Sequence, residues 1–134
     1  MITAIDTNVL LDIFLPDQKY GPASRDALTK QFEKGSLIIC DIVYSELAAF
    51  FESKKMLDQT LLKLGIRFVS VDQTSAYEAG SAWKEYASRS GKKVRVLADF
   101  LIGAHAQKQA NALLTRDRGF YRDYFSGLHV ISPS

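Results

Sequence analysis

Residues 1–14 read MITAIDTNVLLDIF, and the fold follows from the change of period inside this stretch. Ile2 to Ile5 is a short apolar run with β-branched residues, which predicts a buried strand that stops at Asp6. From Thr7 onward the apolar residues Val9, Leu10, Ile13 and Phe14 fall at helical spacing, so the unit is strand, turn, helix. The unit recurs down the chain. The loop LPDQKYGP, through Pro16 and Pro22, leads to a helix with Ala27, Leu28 and Phe32 that Gly35 terminates. Leu37 to Cys40 predicts a second strand, and DIVYSELAAFFESKK a helix with Val43, Leu47, Phe50 and Phe51 on one face. MLDQTLLKLG forms a further helix closing at Gly65, Arg67 to Val71 alternates as a third strand, and Asp72 caps the helix that carries Tyr77, Ala79, Trp83 and Tyr86. Val96 to Gln109 predicts an unusually apolar helix, NALLT a fourth strand, DRGFYRDYF a short helix and LHVIS a fifth strand. Repeated strand–helix order predicts an α/β fold with a parallel sheet and helices on both faces, because parallel strands need crossover connections.

A chain of 134 residues with 47% hydrophobic content is long enough for one domain, residues 1–134, to bury a core without disulfides. The single cysteine, Cys40, cannot make a disulfide within the chain and reads as a small buried hydrophobe in a reducing compartment. No apolar run approaches a bilayer's thickness, and MITAIDTN lacks the basic start and apolar middle of a secretory signal. The expectation is a cytoplasmic protein with no membrane partner. A formal net charge of +2 is too small to identify a nucleic-acid binder by charge alone.

Four carboxylates stand out by placement. In an open α/β sheet, ligands gather beyond the carboxyl ends of the strands where the strand order reverses. Asp6 closes the first strand, and Asp117 follows the fourth; if those strands are neighbours at the reversal, the two acids face each other. The plainer alternatives are a helix N-cap for Asp6 and an ordinary turn acid for Asp117. Asp99 sits among Leu97, Ala98, Phe100, Leu101 and Ile102, where an isolated carboxylate is costly unless a cation or hydrogen-bond donors meet it. Its alternative is a first-turn acid favoured by the helix dipole. Glu46 falls in the apolar stripe between Val43 and Phe50; the alternative is that it snorkels from the stripe's edge or pairs with a Lys or Arg.

Oxygen ligands with few histidines nearby indicate a hard cation, Mg²⁺ or Mn²⁺. His105 lies well round the helix from Asp99 and His129 falls in a predicted strand, so both read as structural or exposed, and zinc is disfavoured. A carboxylate-held cation can polarise a phosphoryl oxygen and lower the pKa of a bound water, which is the chemistry of phosphodiester hydrolysis. No Ser-His-Asp set, GxxxxGK loop or GxGxxG turn points to acyl transfer or nucleotide cofactors.

Four segments in order, AIDTNVLLD, IVYSELAAF, VRVLADFLIGAHAQ and ALLTRDRGF, resemble the PIN-domain ribonucleases, and in size and layout the VapC toxins of toxin–antitoxin pairs. The resemblance spans essentially the whole chain. It implies a three-layer α/β/α domain with a twisted, mostly parallel sheet of four to five strands. It implies an acidic pocket for Mg²⁺ or Mn²⁺ and cleavage of RNA to leave a 5′-phosphate. By motif, Asp6, Glu46, Asp99 and Asp117 fall on the family's acidic positions, Thr115 on its accompanying hydroxyl and Asn8 on a supporting polar position. Such proteins are usually homodimers held in check by a small VapB-like antitoxin that inserts a segment into the acidic groove. One departure is that some relatives carry a further acid two residues beyond the fourth, where this chain has Gly119.

On the substrate side, Arg89, Lys92, Lys93 and Arg95 precede the helix of Asp99, and Arg116 and Arg118 flank the fourth acid; as a set they could hold RNA phosphates, and singly each reads as a solvated side chain. Tyr20, Tyr121 and Tyr124 are candidates for base stacking, although Tyr121 and Tyr124 read more simply as packing residues. The rival enzyme class is a HAD-like or receiver-like phosphatase or phospho-accepting domain that uses the strand-end Asp as nucleophile; its two-residue acid pair would need Asp where Asn8 stands. The non-enzymatic rival is a catalytically degenerate PIN scaffold in RNA processing.

Overall fold

The computed structural model describes residues 1–15, 17–90 and 96–133. Its elements, in chain order, are β1 (Ile2–Ile5), α1 (Thr7–Phe14), α2 (Gly21–Lys34), β2 (Ser36–Ile39), α3 (Asp41–Ala48), α4 (Lys54–Lys63), β3 (Ile66–Phe68), α5 (Gln73–Ser90), α6 (Leu97–Gln109), β4 (Ala112–Leu114), α7 (Arg118–Tyr124) and β5 (Val130–Ile131). The strands form one five-stranded sheet in the order β3-β2-β1-β4-β5. Every neighbouring pair is parallel. The result is the expected three-layer α/β/α arrangement with a twisted sheet.

β1 is central because it can be: Thr3, Ala4 and Ile5 are all buried, as a strand covered on both faces requires. The chain leaves β1 towards β2 and β3, then crosses back to β4 and β5, so the order reverses between β1 and β4. Cys40 is buried and free, as expected of a small hydrophobe. Among the described residues no helix is long and apolar enough to cross a membrane.

Several boundaries differ from the sequence expectation, each for a local reason. The helix after β2 stops at Ala48 instead of running through the double phenylalanine, and Phe50 is exposed. Ser53 restarts the chain as a fresh N-cap, accepting from the Met56 amide at 3.1 Å. β3 is shorter than predicted because the next residues are taken by other partners: Val69 O meets His105 Nε2 at 2.8 Å, and the Val71 amide donates to Asp41 Oδ1 at 3.0 Å. Asp72 does cap its helix, accepting from the Ser75 amide at 2.8 Å. β5 contracts to Val130–Ile131, leaving His129 exposed just ahead of it.

α6 lies close against the aromatic residues of α7 and its flank, and Gly103 is what permits it: a Cβ there would sit 2.4 Å from Phe125 Cε2. Phe125 is itself buried, so its ring has little room to yield. Gly103→Ala is expected to lower unfolding stability by about 1–3 kcal/mol through overpacking, read as a lower urea midpoint at unchanged slope.

Candidate active site

The reversal between β1 and β4 puts two strand ends side by side. Ile5 is in register with Leu114, and the Asp6 amide donates to Leu114 O at 2.9 Å, carrying the ladder one residue further. Asp6 therefore faces Thr115 directly, two residues before Asp117. Thr115, fully buried, donates its hydroxyl to Asp6 Oδ2 at 2.7 Å. The other carboxylate oxygen, Oδ1, accepts from the Thr7 amide at 2.8 Å, so Asp6 is also the N-cap of α1. The N-cap alternative therefore holds for Asp6. Asn8 Nδ2 reaches Asp6 Oδ2 at 3.4 Å and Thr115 Oγ1 at 3.5 Å.

Glu46 arrives from α3. It is exposed, not buried in the apolar stripe, because this short helix buries only Val43 and Leu47. Its Oε1 accepts the Thr7 hydroxyl at 2.5 Å, so Thr7 joins two of the four acids through its amide and its hydroxyl. Asp99 occupies the first turn of α6, half-buried, where the helix dipole favours a negative charge. Its apolar sequence neighbours are only partly its spatial ones, since Leu97 is exposed and Phe100 points into the core. Asp117 is the N-cap residue of α7, with its amide donating to Thr115 Oγ1 at 3.0 Å.

Electrostatics ties Asp6 to two of the other acids. Burial, opposed by the Thr115 and Thr7 hydrogen bonds and reinforced by the charges of Asp99 and Glu46, pushes the Asp6 carboxyl up to about 6. Tyr121, 1% exposed, meets the same cluster: burial, followed by the charges of Asp6, Asp99 and Asp117, holds its phenol well above the ordinary range. Its ring packs on Phe120 and Phe125 at centroid distances of 4.9 and 6.2 Å, so the packing role read from sequence is present. That its hydroxyl end reaches the acids had no sequence signal. Tyr124 stays within the aromatic cluster, 5.1 Å from Tyr86.

Asp12 is the residue the sequence reading missed. It is 4% exposed on α1 and accepts from Ser24 Oγ at 2.7 Å and from both Nε and Nη2 of Arg116, at 2.7 and 3.1 Å. A signal existed, since an acid within the apolar helix TNVLLDIF is the same conflict that marked Glu46. Arg116, expected as a phosphate contact, is thus engaged with Asp12 and lies over the Tyr20 ring, 4.0 Å from its centroid. Tyr20 is correspondingly occupied as a stacking surface. Arg89 pairs with Glu85 along α5, and Arg118 is exposed at the start of α7. Lys92, Lys93 and Arg95, like Pro16, lie outside the described residues. His105 is buried and bonded to the Val69 carbonyl, remote from any ligand role.

Among the described residues, no three of the His, Cys, Asp and Glu side chains are close enough to one another to form a ligand cage. The donor set nonetheless suits a hard cation. Its oxygens belong to carboxylates, and the strongest charges acting on Asp6 are themselves negative. Mg²⁺ characteristically takes one or two carboxylates and completes its shell with water, so a full protein cage is not the pattern to expect.

The raised Asp6 pKa has a measurable consequence in metal-free protein. Between about 4 and about 6 the folded chain retains a proton that an unfolded chain, with an ordinary value of 3.8, has released. The contribution of this group to stability therefore falls as pH rises through that window and is flat above it. Thermal melts in chelator from pH 4 to 7 are expected to show this downward component in the native chain and to lack it in Asp6→Asn. Identical pH profiles for the two proteins would contradict it.

A family model for the PIN domain matches residues 3–125. Among solved structures, the chain is similar to the VapBC2 complex of Rickettsia felis bound to a promoter DNA fragment, at 18% identity over 100% of both chains with a TM-score of 0.73. It is similar to a toxin–antitoxin complex from Klebsiella pneumoniae, at 22% identity over 98% of both chains with a TM-score of 0.70. FitAcB from Neisseria gonorrhoeae aligns at 26% identity over 99% of this chain and 98% of that one, with a TM-score of 0.64. No curated protein sequence matches.

Proposed function

This chain belongs to the PIN-domain family, and from that premise we propose that it is a Mg²⁺- or Mn²⁺-dependent endoribonuclease, the toxin of a VapBC-type pair. What supports the reading is that the charges of Asp99 and Glu46 act on Asp6, those of Asp6, Asp99 and Asp117 act on Tyr121, and Thr7 bridges Asp6 and Glu46, all beside the ends of β1 and β4. Asp6 and Asp99 would hold the cation, with Glu46 and Asp117 at its edge. When bound, the cation supplies charge stabilisation at a phosphoryl oxygen and a more acidic water. Thr115 and the Thr7 amide fix the two oxygens of Asp6, so that its remaining lone pairs keep one direction. Tyr121 closes the floor of the site as a neutral phenol and keeps bulk water from beneath it.

The phospho-accepting alternative fares less well. Its acid pair would need a second carboxylate two residues after Asp6, where Asn8 stands and directs its side-chain amide to Asp6 Oδ2 at 3.4 Å. A toxin–antitoxin complex among the similar structures supports an antitoxin partner; the insertion of one of its segments into the acidic groove, and a homodimeric toxin, are part of the proposal. The test is cleavage of end-labelled single-stranded RNA with Mn²⁺ and with EDTA. Metal-dependent 5′-phosphate products are expected, and an intact substrate under both conditions would overturn the reading.

A further inference from the structure

Asp12 does no chemistry in the proposed site, and its placement is unfavourable. It lies in the second half of α1, where the macrodipole disfavours an anion, and it is 4% exposed. Such a carboxylate persists only against a cation with good geometry. The cation is Arg116, from the segment between β4 and α7 that also carries Thr115 and Asp117. Its Nε and Nη2 donate to separate oxygens of Asp12 at 2.7 and 3.1 Å, the fork-to-fork arrangement. Ser24 of α2 donates to the same carboxylate at 2.7 Å, and Tyr20, just before α2, puts its ring 4.0 Å from the guanidinium carbon. The backbone of Arg116 makes the second attachment, donating its amide to Asn8 Oδ1 at 3.2 Å while Asn8 Nδ2 reaches Asp6. The segment bearing Thr115 and Asp117 is thereby tied to α1 at Asn8 and, one turn along, at Asp12.

We propose that Asp12 and Arg116 are positioning residues whose paired forks set the distance between the Asp6 end of β1 and the segment carrying Thr115 and Asp117. Arg116 acts through this tie and not by touching substrate. The proposal rests on the nuclease reading for its activity readout alone.

The discriminating variants are Arg116→Lys, which keeps the charge but not the fork, and Asp12→Asn, which keeps the shape but not the charge. Both are expected to lower kcat and Mn²⁺ affinity by about 10- to 100-fold with KM for RNA little changed, the pattern of a group that orients ligands. A phosphate contact would instead raise KM in Arg116→Lys and leave Asp12→Asn active. Hydrogen exchange gives a readout that does not depend on the chemistry. The Arg116 and Asp117 amides, which donate to Asn8 and Thr115, are expected to lose protection in both variants, while the Val69 amide, bonded to Ile39 O across the far side of the sheet, keeps it. Leu61→Ala, a core deletion on α4 beside edge strand β3, supplies a variant of lowered stability with the tie intact, and its kcat should match the native value. Uniform loss of protection in all three variants, or native kcat in Arg116→Lys and Asp12→Asn, would overturn the proposal. A native chain that leaves RNA intact would overturn the nuclease reading instead, with the exchange pattern still deciding this one.

Discussion

Asp6→Asn and Asp99→Asn are each expected to lower Mn²⁺-dependent RNA cleavage on the order of a hundredfold to a thousandfold, with the far-ultraviolet circular dichroism unchanged. The two acids reach the site by different routes, one at the end of the central strand and one in the first turn of α6. An amide at either position keeps the shape but withdraws the charge a cation needs. Stability separates this effect from unfolding. Asp6 is ionised at neutral pH against the cost of burial and the charges of Asp99 and Glu46, so Asp6→Asn relieves a penalty in metal-free protein. The variant is expected to melt no lower than the native chain at pH 7 in chelator, and to gain less from added Mn²⁺. Native cleavage rates in both variants would remove the carboxylates from the mechanism.

Phe100→Ala is expected to cost about 3–5 kcal/mol, a fall in Tm on the order of 10–20 °C. Phe100 is fully buried, with ring centroids of Phe120, Tyr86, Tyr124 and Phe125 at 5.2, 5.5, 6.0 and 6.1 Å. Removing it leaves a cavity among four aromatic rings, three of which come from α7 and its flank. The consequence extends to function because Asp99 precedes Phe100 and Asp117 begins α7. The cluster holds α6 against α7, and with them two of the acids. Phe100→Leu, which fills most of the space, is expected to cost about 1–2 kcal/mol and to keep more of the activity. Equal loss in the two variants, measured by urea unfolding, would show that volume is not what the site demands.

The element order was legible because each strand is a short apolar run and each helix an apolar stripe of different period, both local properties of the chain. The strand-to-helix turn at Asp6 is the clearest case, since one residue ends the strand and caps the helix. Boundaries failed where long-range partners intervened. Nothing near Val69 in sequence announces His105, 36 residues away, and so β3 was expected to run too far. Helical spacing places Glu46 in an apolar stripe and the structure exposes it, while Asp12, on an equally apolar helix, is the acid that is buried.

Local pattern alone establishes an alternating, parallel α/β chain with acids at strand ends and helix starts, because hydrophobic period and capping act over a few residues. Long-range packing sets the rest: Thr115 lies opposite Asp6 and bonds it, Tyr121 turns its hydroxyl towards the acids, and Arg116 is committed to Asp12. Those facts depend on strand register and on which strands are neighbours. Both are set by packing between residues about a hundred positions apart, whose mutual distance no local pattern encodes.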